Sequence, residues 1–361
     1  MWRKNYMLPL LKFLIRRLTF TLATLVLITA ILYGIVLLLA PPEVRAIPYL
    51  PHWRPRGESE GLIETTIKQN GLDDPYPVQY VRWASNLLQG DWGWSPAMRA
   101  EVLDILLKRT PATAELILFS VLLFIPLGLV SGVVAGRKRG SPSDHAFRLL
   151  AFVATSIPSF VLGLMLLGIL YVGLQWFSLG RISITAESVV QSPSFKTFTN
   201  LLTVDGLLNG RFDITLSALR SLTLPAFTLS LAHWATLGRV TRAAMVEELN
   251  KDYVVAARAK GLSMQQAVWR HALRNAMVPA ISSSALSTAS LVTGTFVVEI
   301  VFGFPGISAP ITVVAAQSYA DVTLAMGLAV YSVLLVLPLM FALDVILALV
   351  DPRIREGGAA L

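Results

Sequence analysis

The side chains able to do covalent or metal chemistry are few and far apart. The four histidines (His52, His145, His233 and His271) are scattered along 361 residues. None stands in the H-E-x-x-H arrangement that seats zinc on one helix face. There is no cysteine, so disulfides, thiolate-bound zinc, iron–sulfur clusters and thiol nucleophiles are excluded together. A P-loop needs G-x-x-x-x-G-K-[ST], and no Gly-Lys pair occurs anywhere in the chain. Glu115, Glu299 and Asp344 lie singly near the ends of apolar segments, and only His233 falls at depth. A proton- or sodium-coupled carrier keeps buried carboxylates at its midplane. A polytopic membrane enzyme needs a paired-carboxylate, Ser–His or metal constellation. The sequence displays neither pattern.

What remains is mechanical. Residues 252–279, DYVVAARAKGLSMQQAVWRHALRNAMVP, are helix-prone and cationic in a chain that is otherwise mostly apolar. Ala256, Ala257 and Ala259 favour a helix over 252–260, and Lys260 suits its C-terminal end. Gly261 fits the left-handed residue that closes such a helix. Ser263 caps a second helix, with Gln266 three residues on to complete a capping box. In that second helix Trp269, Ala272, Leu273, Ala276 and Met277 fall on one face, and Arg270 and Arg274 project elsewhere. Two readings of this helix–Gly–helix stand side by side. It is an amphipathic linker resting on lipid headgroups, or a docking element whose small side chains admit a close partner and whose tight turn fixes an angle.

The elements around it are membrane spans. The chain is 55% hydrophobic and 14% charged, with mean hydropathy +0.64, against about 25% charged in soluble domains. Apolar runs long enough to cross a bilayer are expected at 18–40, 115–135, 149–177, 222–243, 279–300 and 323–350. The first is too long for a cleaved signal sequence and has no A-x-A site after it. With the N-terminus inside, eighteen Lys and Arg fall in inner segments and twelve in the much longer outer loops. Positive charge belongs inside, so both termini are expected in the cytoplasm. The net charge of +8 is then a topology signal and not a nucleic-acid surface.

The expected fold class is an all-α polytopic membrane protein with six transmembrane helices and a cytoplasmic loop, 244–278, between spans four and five. Residues 1–114 make an inner segment, the first span and a large outer loop. Residues 115–350 form a five-span core, and 351–361 form a tail. In the fifth span Ser283, Ser287, Ser290 and Gly294 share a face, which suits close helix packing or a translocation path. Glu299 suits solute contact, an outer-gate anchor or a structural hydrogen bond. Pro126, Pro158 and Pro338 are expected to kink spans. Trp53, Trp83, Trp92 and Trp94 suit a membrane interface. The stretch GDWGWS (90–95) reads as a turn positioning them, and the first outer loop otherwise serves as a platform for a partner.

The stretch from Tyr253 through Ala256, Ala257, Arg258, Ala259, Lys260, Gly261 and Leu262 to Ser263, followed by Arg270 to Pro279, resembles the EAA loop of bacterial ABC importer permeases. The form is that of the dipeptide/oligopeptide/nickel branch. Val255 stands where the general motif has its glutamate. FLIRRL, NGLDDPYPVQYVRWASNLLQGDWGWS, LKRTPATAELILFSVLLFIPLGLVSGVVAG, TSIPSFVLGLMLL, LRSLTLPAFTLSL, VVEIVFGFPGIS and DPRIREG extend the resemblance along nearly the whole chain. Ser221 replaces a common histidine, APPEV replaces P-G-D-P, and MFALD stands in the last span.

This resemblance implies a pore-forming subunit in the cell inner membrane of a bacterium or archaeon. It would pair with a second homologous permease, usually a different one. Two cytoplasmic ABC ATPases would bind the ATP and Mg, so no cofactor is expected in this chain. An extracytoplasmic binding protein would deliver the solute, and the partners would include membrane lipid but no nucleic acid. Residues 252–263 would be the ATPase-coupling helix, with Ser283, Ser287, Ser290 and Glu299 as candidates for the path or gate. Di- and oligopeptides are the expected solutes, ahead of nickel complexes, glutathione and short sugars.

Overall fold

The computed structural model describes residues 7–50, 59–316 and 321–350. His52, Trp53 and the tail 351–361 lie outside the described residues, as does the side chain of Asp344. Five helices among the described residues are long and apolar enough to cross a membrane, and one bent pair brings the number to six when its two halves are taken as one broken span. They are Met7–Leu39, Val102–Arg137, the pair Pro142–Ser156 and Ser159–Gly173, Phe212–Leu249, a run from Met264 to Val301, and Val322–Val350. These are called the first to sixth spans. At 1.5 Å per residue the 38-residue fourth span is about 57 Å long, far more than the ~30 Å hydrocarbon core. The helix is therefore longer than the hydrocarbon requires, and its last turns lead into the cationic insert.

The third span, expected over 149–177 with a kink at Pro158, runs over 142–173. It breaks before Pro158 and bends by 99°. Ile157 is extended at φ −97°, ψ 121°, as steric conflict with the following proline ring demands. Beyond Leu166 the backbone widens into a π-helix at Leu167–Gly173. Pro126 and Pro338 behave differently and lie inside uninterrupted helices. The all-α expectation has one small exception. Trp94–Ser95 and Ala100–Glu101 pair as a two-residue antiparallel ladder in the GDWGWS turn.

The chain divides into two compact units, one built on 111–305 and the other on 14–110 and 306–341. In the first, Leu116 and Phe124 of the second span meet Leu222, Leu229 and Leu237 of the fourth and Leu291 and Val298 of the fifth in one buried cluster. Close approach of the second and fourth spans rests on glycine. A Cβ added at Gly132 would lie 2.6 Å from the Gly238 carbonyl, and one at Gly136 would lie 2.8 Å from Met245 Cβ. The repeat Gly128-x-x-x-Gly132-x-x-x-Gly136 is a small-residue seam of the kind that lets membrane helices touch backbone to backbone. Gly132→Ala is expected to lower stability by about 1–3 kcal/mol through overpacking. Gly168→Ala, with nothing within 4 Å of its added carbon, is the control; thermal denaturation in detergent reads the difference.

In the second unit the loop after the first span folds on that span. Tyr33 gathers Tyr76, Tyr80 and Trp83 at ring distances of 5.1–6.2 Å. Arg45 donates to Gln79 at 2.7 Å and to the Leu72 carbonyl at 2.8 Å. The GDWGWS turn is held by Asp321, a buried carboxylate that accepts from Ser95 Oγ at 2.6 Å, from the Ala97 amide at 3.1 Å and from the Leu324 amide at 2.9 Å. Trp92 packs edge-on against Tyr331. Here the turn staples its own loop to the start of the sixth span.

Candidate functional site

The insert forms as the local rules require. Asp252–Ala259 is a helix, Lys260 ends it, and Gly261 takes φ +89°. Gly261 N–H donates to the Arg258 carbonyl at 2.9 Å and Leu262 N–H to the Ala257 carbonyl at 3.3 Å. That pair of reversed bonds is a Schellman closure, which needs a left-handed residue and favours glycine. Ser263 Oγ accepts from the Gln266 amide at 3.3 Å while Gln266 Oε1 accepts from the Ser263 amide at 3.0 Å, completing the capping box.

Burial sorts the residues of the first helix into two faces. Val254 turns inward onto Val133, Met245, Ala267, Val268, Ala272 and Ala276, and Ala257 is buried on the same side at 7% exposure. Val255, Ala256, Arg258, Ala259, Lys260, Gly261 and Ser263 are exposed, and Tyr253 and Leu262 are half-buried. The expected coupling residues are therefore brought together, but Ala257 braces the element from within. Between the two helices runs a groove of about 500 Å³ lined by Leu249, Val255, Arg258, Ala259, Leu262 and Met264, among others. At the start of the first helix Tyr253 Oη donates to Glu248 Oε2 and Lys251 Nζ to Glu248 Oε1, both at 2.5 Å. Burial, with that hydrogen bond second, pushes the Tyr253 phenol above its ordinary range, so it stays a donor at neutral pH.

The second helix departs from the expected face. After one turn, Met264–Ala267, the backbone widens into a π-turn over Val268–Ala272 before the fifth span resumes at Leu273. The extra residue shifts the register. Val268, Ala272 and Ala276 are buried, while Trp269 is 46% exposed. Trp269 thus joins Arg270 and Arg274 on the outer surface instead of the packed face.

A second feature at this end of the unit escaped the sequence reading. Asp144, in the first turn of the third span, is 1% exposed. It accepts from Arg242 of the fourth span at 2.5 and 2.8 Å and from the Gly140 amide at 2.9 Å. This fork ties the turn between spans two and three to the helix that carries the insert. No local pattern signals a pair 98 positions apart.

The candidate path residues are not one cluster. Ser287 is buried, Ser283 and Gly294 are half-buried, and Ser290 is exposed. Gly294 meets Leu229 of the fourth span, 3.4 Å from where its Cβ would be. The stripe therefore serves helix packing along one edge and faces outward at Ser290. Glu299 is 1% exposed and accepts from Thr113 Oγ1 at 2.5 Å. This is the geometry of an anchor. Glu115, also 1% exposed, accepts from the Thr203 amide and hydroxyl at 2.8 and 2.6 Å and pairs with Arg181 at 2.9 Å. It fastens the loop between spans three and four to the second span.

The architecture defines a polytopic α-helical membrane protein that holds an exposed, cationic helix–turn–helix between two of its spans. The chain belongs to the family of binding-protein-dependent transport system inner membrane components, whose pattern residues 125–356 match. It is 33% identical over 348 residues to the di/tripeptide transport system permease protein DppB of Pseudomonas aeruginosa (strain UCBPP-PA14), covering 96% of this chain and 99% of that one. It is 33% identical over 298 residues to the oligopeptide transport system permease protein AppB of Bacillus subtilis (strain 168), covering 82% and 86%. With the dipeptide transport system permease protein DppB of Escherichia coli (strain K12) it shares 29% over 347 residues, covering 96% and 99%. These relatives are transport permeases and not enzymes.

Proposed function

We propose that this chain is one permease subunit of an ATP-driven importer for di- or oligopeptides, pairing with a second, homologous permease. The observation that carries this reading is the similarity to peptide permeases over nearly the full length of both chains. Two cytoplasmic ABC ATPases bind the ATP and Mg, and an external binding protein delivers the peptide. The fourth span's projecting end, the insert at 244–278 and both termini lie on the cytoplasmic side of a bacterial inner membrane. The large outer part of 1–114 faces the binding protein, and the five spans within 115–350 form half of the pore.

On this reading Val255, Ala256, Arg258, Ala259 and Lys260 meet an ATPase surface, and Gly261 fixes the angle of the helix behind them. Nucleotide-driven closure of the ATPase pair moves the insert, and the helix packing behind it switches between two arrangements. Ser290 faces the path, and Glu299 holds the outer end of the fifth span. Reconstitution of the chain with its second permease, ATPases and binding protein in proteoliposomes tests the reading. Uptake of labelled di- or tripeptide requires ATP and persists when the proton gradient is collapsed. Uptake that survives ATP removal but stops with the gradient contradicts it.

A further inference from the structure

Beside the glycine seam, the second and fourth spans leave an open groove of about 410 Å³ that none of the transport roles above uses. Leu123, Leu127, Val130 and Val134 line one wall, and Leu231 and Trp234 line the other. The polar atoms that reach it are satisfied within the protein. Ser131 Oγ donates to the Leu127 carbonyl at 2.6 Å and accepts from Trp234 Nε1 at 3.0 Å. Ser230 Oγ donates to the carbonyls of Ser120 and Ala226. What the slot offers a ligand is hydrocarbon.

Its end offers charge. Along the second span the stripe Leu123, Leu127, Val130, Val134 continues by a three-residue step into Arg137, the last residue of the helix, and Lys138 opens the turn that follows. Arg139 follows, and Lys138 and Arg139 are exposed. Among the described residues none of the three makes an ion pair, and the next acid along the chain, Asp144, is engaged by Arg242. Another transmembrane helix lying in the slot would place its flank over these cations with nothing to compensate them. A phospholipid satisfies both ends.

We propose that this groove is a specific site for an anionic phospholipid, with an acyl chain lying between the second and fourth spans and the headgroup phosphate at Arg137 and Lys138. Each cation favours an anionic over a zwitterionic headgroup by about fivefold. The site requires no ATPase, so its test is independent of the transport reading.

The full-length chain is placed in detergent micelles with phosphatidylglycerol or phosphatidylcholine brominated on the acyl chain, and tryptophan fluorescence is recorded. The signal of Trp234 is isolated by subtracting the W234F variant. Half-quenching is expected at roughly twenty-five-fold less phosphatidylglycerol than phosphatidylcholine, about fivefold for each of the two cations. K138Q, which leaves Arg137 and Arg139 to direct insertion, cuts that preference about fivefold. Val134→Phe, which fills the slot, weakens quenching by both lipids. Equal half-quenching by the two lipids means ordinary boundary lipid and overturns the proposal. So does a Trp234 shielded from both lipids in the assembled permease pair, which assigns the groove to a protein partner.

Discussion

Ala259→Trp is expected to lower peptide uptake and uptake-linked ATP hydrolysis by at least about thirtyfold, while the purified chain still melts at the wild-type temperature. Ala259 lies on the exposed face of the Asp252–Ala259 helix and lines the groove beside Gly261. An indole there has solvent to occupy in the isolated chain and none in a fitted protein interface. Loss of a central contact in such an interface costs about 2 kcal/mol or more. Ala257→Trp makes the opposite comparison. Ala257 is buried, with 7% of its surface exposed, so a bulky side chain there is overpacked and lowers stability itself. The two alanines are two residues apart, and their phenotypes differ because one faces a partner and the other faces the core. An insert that rested on lipid headgroups would tolerate a tryptophan at 259 without loss of uptake.

The second large effect is expected at Asp144. Its carboxylate is held by both arms of the Arg242 guanidinium and by the Gly140 amide. Arg242 is itself mostly enclosed, with 21% of its side chain exposed. Removing one partner of a buried, hydrogen-bonded pair strands the other charge and costs about 3–5 kcal/mol. Asp144→Ala is therefore expected to destabilise the chain by that amount in a denaturant or thermal titration. Arg242→Met combined with Asp144→Leu is expected to recover much of it, because the uncompensated charge is gone. The readout that separates this from generic damage is the insert. With the fork broken, the link between the second-to-third-span turn and the fourth span loosens, and proteolysis near 250–263 quickens. Equal stability of wild type and Asp144→Ala would remove the fork from the account.

What the sequence could disclose followed the range of the forces involved. The Gly261 closure and the Ser263–Gln266 box are set within six residues, and both formed as the local rules state. The spans were legible because bilayer thickness imposes their length. The break before Pro158 was signalled as a kink but not as a 99° bend, since packing decides how far a freed backbone turns. The π-turn at Val268–Ala272 was hidden because a 3.6-residue period presumes an unbroken α-helix, and one extra residue carried Trp269 off the expected face. Glu115 with Arg181 and Asp144 with Arg242 join positions 66 and 98 apart. A single sequence carries no local trace of such partners. The seam Gly128, Gly132, Gly136 did stand in the sequence as a small-residue repeat and could have been read. Ser283, Ser287 and Ser290 share a face by spacing, yet neighbours bury one and expose another.

On the proposed reading an ATPase grips the exposed face of the insert. Because the natural chain has no cysteine, Ala259→Cys introduces a unique thiol. In the reconstituted assembly a short bifunctional maleimide is expected to link position 259 to an ATPase subunit, with a yield that changes between ATP-bound and nucleotide-free states. Cysteine at the inward-facing position 257 should give no such product. If position 259 forms no link to any subunit, and reacts with water-soluble maleimide equally fast whether or not the ATPases are present, the insert is not a handle and the account fails.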